Sequence, residues 1–397
     1  MRFVEIKQLI GSPGHAKGKD KIPKAKAGRT QHPLKNKLVG EAKSNARIQH
    51  VEDKIIWDGV AGGKSAIAIL KNLEKSTDDA TIKWDGSPAI VFGRNEKGEF
   101  VLTDKSGFTA KGYQGKVTSG EDLEKMFLGR GKEAPDENRK QFASNMRNIW
   151  STFESATPKD FSGYVLGDLL YYTTPSEVDG RLEFTPNTTT YRVDPNSAIG
   201  QKIKKSQTGV VIHKSIGLDG ASGPADASQF QTGALLVMPP VVVQKTPSVD
   251  VPGLDKLQSK LTNDIDALLN PSPELKMSDF PDTIYAYVNA KTKAGSLQTL
   301  GQDFVKWIDS NPKISPAKQQ RVLAHVGQYK TAMSNLFAFI SGVMNIKNRI
   351  IDELDQQESD IEAYTNGERG GEGYVIGGDT KLVNRDKFTK ANMNRER

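Results

Sequence analysis

The sequence predicts an α+β protein in which stretches rich in antiparallel strands are interrupted by an all-helical block. Three observations carry that prediction. Short apolar runs punctuated by Gly, Pro and Asn occupy residues 81–103 and 163–243. Residues 253–364 instead space their apolar side chains three and four apart, and Leu336, Phe337, Ile340, Val343, Met344, Ile350, Ile351 and Leu354 form one long stripe. Strand texture resumes after Gly367. The simplest organisation therefore has a basic arm over 1–48, the first part of a core over 49–247, a helical insertion over 248–365, and closing strands over 366–397.

Charge separates the arm from the rest. Residues 1–50 hold twelve Lys/Arg against Glu5, Asp20 and Glu41, a net of +9, which leaves the remaining 347 residues at −2. With Pro13, Pro23 and Pro33 and few apolar side chains, residues 10–45 cannot bury enough surface to offset their ordering entropy, so disorder is expected there. Such an arm suits polyanion binding through counterion release. A docking or solubilising tail is the other reading of the same composition.

The elements follow in order. Ordered structure is expected from His50, and Ile67, Ile69, Leu70 and Leu73 space a helix over Ser65 to Leu73. Strands are expected at 81–86, 89–93 and 99–103, helix over 120–157, and strands at 163–172, 181–193, 208–213 and 234–243. Residues 247–252, bounded by Pro247 and Pro252, read as a linker.

Composition excludes several function classes. The 397 residues are 36% hydrophobic and 26% charged, enough for a sizeable core. The absence of Cys removes disulfides, thiolate metal sites and Cys nucleophiles. The five histidines, His15, His32, His50, His213 and His325, have no ligand-like spacing, which argues against a His-based zinc site. The longest apolar stretches, Leu336 to Met344 and Ala234 to Val243, fall short of the ~20 residues of a membrane span. The N-terminus lacks an apolar signal region, so no secretory leader is expected.

Two segments invite a phosphate-chemistry reading. Gly59-Val60-Ala61-Gly62-Gly63-Lys64-Ser65 resembles a phosphate-binding loop, but only three residues separate its outer glycines where four are needed. The position that would restore the spacing is Asp58, whose charge repels phosphate, so the segment reads as a Gly-rich helix N-terminus. The other segment is Lys83-Trp84-Asp85-Gly86, which ends one strand before Ser87-Pro88 turns into the next. A lysine amine is a nucleophile only when deprotonated, and at its reference pKa of ~10.4 it needs burial beside other cations to become one.

An ordered series of elements follows Lys83. It comprises Thr103-Asp104-Lys105-Ser106-Gly107-Phe108, a basic turn after a strand, then Gly163-Tyr164-Val165-Leu166-Gly167-Asp168 and Val210-Val211-Ile212-His213-Lys214. Glu372-Gly373-Tyr374-Val375-Ile376 and Lys381-Leu382-Val383-Asn384-Arg385 complete it. This order resembles motifs I, Ia, III, IIIa, IV and V of the covalent nucleotidyltransferase superfamily of polynucleotide ligases and mRNA capping enzymes. The Lys-x-Asp-Gly-Ser start is more similar to RNA ligases than to DNA ligases, whose motif continues to an Arg where this chain has Pro88. Residues 50–110 and 180–215 are also similar to a little-characterised group of bacteriophage proteins. The resemblance covers roughly 50–245 and 366–390.

The resemblance implies a nucleotidyltransferase core, ligase-like and of ATP-grasp type, with antiparallel sheets, flanking helices and the helical insertion. No OB-fold is expected, because only ten residues follow Lys387. It implies that Lys83 attacks ATP to give a lysyl–AMP, within a nucleotide site of Ile82, Asp85, Gly86, Lys105, Asp168, Lys381, Arg385 and Lys387. Asp168 and Glu372 would hold Mg²⁺, or Mn²⁺ in its place. Asp168 stands where the family has Glu, and Val383 where it has a second Lys that Arg385 or Lys387 would replace. Nucleic acid, RNA before DNA, is the implied partner, with no membrane, a monomer, and a cytoplasmic location (the host's for a phage protein). Two alternatives stand beside this reading: a DNA-end-sealing enzyme that uses the basic arm in place of an OB-fold, and a non-catalytic phage protein with a degenerate ligase fold.

Overall fold

In the computed structural model, which describes residues 49–110, 117–131, 133–230, 233–243 and 248–388, the chain divides into two units. The expected arm lies outside the described residues. The chain passes from one unit to the other between Trp84 and Asp85 and returns between Pro239 and Pro240.

Residues 85–239 build a six-stranded sheet whose central path runs Ser222–Pro224, Thr208–Ile216, Gly163–Tyr171, Ala89–Arg94, Phe100–Asp104. Neighbours on this path are antiparallel, and Leu235–Met238 adds in parallel to the start of Thr208–Ile216. Both faces are covered, which is why Ala89–Arg94 and Gly163–Tyr171 read as nearly continuous apolar runs rather than alternating ones. On one face Ile90, Phe92, Leu102, Val165 and Leu169 pack with residues of the helices Gly120–Leu128, Glu137–Asn148 and Trp150–Ala156. Edge-to-face ring pairs fasten this layer, Phe92 on Phe153 at 4.9 Å and Phe100 on Trp150 at 5.1 Å. On the other face Val91, Val101, Phe108, Tyr164, Leu166 and Ile216 form a smaller cluster. An antiparallel meander of Ser176–Val178, Arg181–Phe184 and Thr189–Val193 completes the unit, with a helix, Ala198–Lys205, that the sequence reading did not include. Its N-cap Ser197 accepts from the Gly200 amide at 3.0 Å, and its apolar content is too short to register as a helical period.

The second unit joins, among the described residues, 49–84 to 240–243 and 248–388. Its four-stranded sheet runs Gln49–His50, Thr380–Leu382, Tyr374–Ile376, Ala80–Ile82; the first pair is parallel and the others antiparallel. The helical block is not a separate insertion. Ile55, Ile56 and Leu70 of the helix Lys54–Leu73, the stripe of Lys330–Gln356, and Ala80, Tyr374, Ile376 and Leu382 of the strands share one core. The block also ends earlier than its periodicity suggested, because Ile361–Thr365 is a strand hairpinned to Glu368–Arg369.

The Gly59 segment starts a helical stretch, as its glycines predict, but an earlier stretch from Lys54 runs into it. Helix runs from Lys54 to Leu73, and Gly59, at φ 58° and ψ −140°, breaks its path once. The Asp266 carboxylate accepts the Val60 amide at 2.8 Å and caps the restarted helix. A Cβ at Gly59 would stand 1.9 Å from Asp266 Oδ1. The anion at this turn is the protein's own.

Candidate functional site

Strand register builds the Lys83 site. Val375 stands opposite Thr81 on one side and Lys381 on the other, so the three share a face of the second unit's sheet. The alternate residues, Ala80, Tyr374, Ile376, Thr380 and Leu382, are buried. The Lys83 amide donates to the Gly373 carbonyl at 2.9 Å, which extends the pairing by one residue and by alternation puts Lys83 on the face of Thr81 and Lys381. Lys83 Nζ donates to Glu372 Oε2 in an ion pair whose side chains are 18% and 15% exposed, enclosed enough to weaken solvent screening.

The loop that carries Glu372 is anchored at both ends. The Gly370 amide donates to the Ala363 carbonyl at 2.8 Å, and Tyr374 Oη donates to Asp355 Oδ1 at 2.8 Å. Arg369 donates to the Asp355 and Gln357 carbonyls at 2.8 and 2.7 Å. Burial pushes the Asp355 carboxyl up to about 6, against the opposing effect of the Tyr374 hydrogen bond. Lys387 reaches the Arg369 carbonyl at 3.4 Å and Glu368 at 3.7 Å, so it stands at the same loop.

Two expected nucleotide contacts are corrected in this unit. Ile82 turns its side chain to the helical core, on the face opposite Lys381, and its amide donates to the Val241 carbonyl at 2.8 Å. Arg385, 6% exposed, is held in a buried network, donating to Asp53 at 3.0 Å and Glu52 at 3.3 Å and also to Asn289. Lys347, fully buried, donates to Glu52 at 2.6 Å in the same network. Burial alone would raise the Glu52 carboxyl, but the Lys347 ammonium, with His50 and Arg385 adding to it, holds it down to about 2. Burial lowers His50, the register partner of Lys381, well below its ordinary 6.5. Val383 is 4% exposed, so an apolar side chain fits where the family resemblance asked for lysine. Of the two substitutes considered, only Lys387 remains available.

Other expected residues lie in the 85–239 unit. The Asp85 carboxylate accepts from Asn187 Nδ2 at 2.7 Å, the Thr188 amide and hydroxyl at 2.9 and 2.7 Å, and the Thr189 amide at 3.1 Å. Its own amide donates to Tyr191 Oη at 2.5 Å, so Asp85 locks the turn after Lys83-Trp84. Gly86 is a close-approach position, since a Cβ there would lie 2.6 Å from Asp168 Cβ. The expected basic turn at 103–108 is a short helix, Lys105–Thr109, capped by Asp104, which also takes Arg130 in a fork at 2.8 and 2.5 Å. Lys105 itself is exposed at the first turn. Asp168 receives His213 Nε2 at 2.8 Å, a partnership that the sequence order gave no means to see.

As for a metal, no group of three or more His, Asp or Glu suited to one occurs among the described residues. Mg²⁺ commonly takes one or two carboxylates together with substrate phosphates; of the two expected ligands, Glu372 is paired with Lys83 and Asp168 with His213. Among the described residues no helix is long and apolar enough to cross a membrane. Residues 45–397 match the model of DUF6267, a family of unknown function, and the chain belongs to that family. No curated protein and no solved structure matches it.

Proposed function

We propose that the protein is an ATP-dependent polynucleotide ligase, acting on RNA, that works through a lysyl–AMP at Lys83. The observation that carries this reading is the enclosed pair of Lys83 and Glu372, 289 residues apart in sequence, beside Lys381 on one sheet face. In the first step Lys83 Nζ attacks the α-phosphorus of ATP. Lys83 enters the step as the neutral amine, one ammonium proton having passed to solvent; the N–P bond forms, the bond from the α-phosphorus to the oxygen bridging to the β-phosphate breaks, pyrophosphate leaves, and the second proton lost from Nζ passes to the departing pyrophosphate. Lys381, with Lys387 at the neighbouring loop, supplies positive charge for the phosphates. Glu372 would hold Mg²⁺, or Mn²⁺ in its place, which supplies neutralisation of the triphosphate charge when bound. AMP then passes to a 5′-phosphate end, and a 3′-hydroxyl displaces it.

Incubation with α-labelled ATP and Mg²⁺ tests the reading. A covalent, acid-labile label is expected on the wild type and absent from Lys83→Ala. A label from GTP instead would point to capping chemistry. The absence of label from any nucleotide would favour a nucleic-acid-binding protein without catalysis.

A further inference from the structure

We propose that His213 is the proton acceptor for a ribose 3′-hydroxyl, and that Asp168 positions it; this rests on the ligase reading above. Four observations in the 85–239 unit support the assignment. First, Leu166 pairs with Lys214 and Gly167 with Ile212, so His213 is an extra residue, a β-bulge of the kind that re-aims a side chain out of the regular ladder. Second, His213 Nε2 and Asp168 Oδ2 are 2.8 Å apart. With the carboxylate accepting the Nε2 proton, the imidazole is held in the tautomer whose Nδ1 carries the basic lone pair. Third, Asp168 is the one position of the Gly163–Tyr171 strand that is not buried, and the two side chains are 24% and 35% exposed, so a substrate hydroxyl can reach them. Fourth, residues 86–88 of the same unit are seated against this pair. The Ser87 amide donates to the Leu169 carbonyl at 2.9 Å and the Leu169 amide to the Pro88 carbonyl at 3.0 Å, with Gly86 against Asp168.

The charged surroundings are sparse. Lys214 follows His213 on its own strand, Asp168 faces it from one neighbouring strand, and Ser222–Pro224 on the other side carries no titratable side chain. The step balances as follows. The 3′-hydroxyl O–H bond breaks and its proton passes to Nδ1. The oxygen's electron pair forms the new O–P bond at the adenylylated 5′-phosphate, and the P–O bond to AMP breaks.

The test separates this step from the first one by supplying RNA whose 5′ end is already adenylylated, with a 3′-hydroxyl acceptor. For His213→Gln, the sealing rate is expected to fall about 100-fold or more relative to the same variant's rate of Lys83 labelling, the scale of general-base catalysis. Asp168→Asn, as a positioning change, should lower the kcat of sealing while leaving the KM for the 3′-hydroxyl acceptor within a few-fold of wild type. Sealing by His213→Gln within a few-fold of wild type would overturn the assignment, as would an equal loss of sealing and labelling, which marks a structural role. A wild type that labels Lys83 while His213→Gln seals normally removes this inference and keeps the ligase reading. A wild type that neither labels nor seals removes both.

Discussion

Asp85 accepts four hydrogen bonds from residues 187–189, so its carboxylate is fully engaged within its own unit. Its carboxylate orders the turn at Asp85 and Gly86. Asp355 acts similarly behind Glu372, through Tyr374. Its carboxyl is pushed from an ordinary 3.8 up to about 6 by burial, so its contribution to stability is complete below pH 3.8 and is lost as pH rises through 6. Asp355→Asn keeps an acceptor for Tyr374 and removes the ionisation. It is therefore expected to be more stable than wild type at pH 7.5, by at most about 3 kcal/mol, with the gap closing at pH 4. Urea unfolding at the two pH values measures this; an identical gap at both would reject it. At this scale the family resemblance singled out Lys83, Glu372 and Lys381, and strand register and an ion pair gather them on one sheet face. The sequence did not disclose His213, Asp355 or the commitment of Arg385, whose partners lie tens to hundreds of residues away.

The long helix Lys330–Gln356 carries its apolar stripe as its spacing predicts, yet Lys347 falls within that stripe and is fully buried. Burial lowers its amine's pKa, and the partner that keeps it charged is Glu52, from the short turn Val51–Asp53. Removing one member of such a pair leaves an uncompensated charge, whereas removing both leaves none. Lys347→Met is expected to destabilise the protein by ~3–5 kcal/mol, and Glu52→Gln added to it should recover a large part of that loss. Chemical denaturation of the single and double variants checks the coupling; additive losses would refute it. The Gly59 helix illustrates the same limit at the element scale. The glycines marked a helix start, but the capping carboxylate came from Asp266, beyond any local pattern.

At the scale of the molecule, charge is unevenly divided, with a net +9 over residues 1–50. If the arm contacts polynucleotide phosphates, deletion of residues 1–48 should weaken RNA binding and flatten its salt dependence, since each phosphate contributes about 0.7 to the log–log slope on single strands. Labelling of Lys83 should persist. Equal slopes for full-length and truncated protein would leave the arm a docking or solubility role. The α+β class, the strand runs and the helical periodicity were determined by the sequence itself, because side-chain alternation and three-to-four spacing are local properties of each element. The boundary between units at Trp84 and Asp85, the merging of the helices with strands from both ends of the chain, and the Lys83–Glu372 and Asp168–His213 pairs were decided only in the tertiary structure. The physical reason is that burial and ion pairing join residues by distance in space, and a linear pattern carries no record of which distant strand will lie alongside.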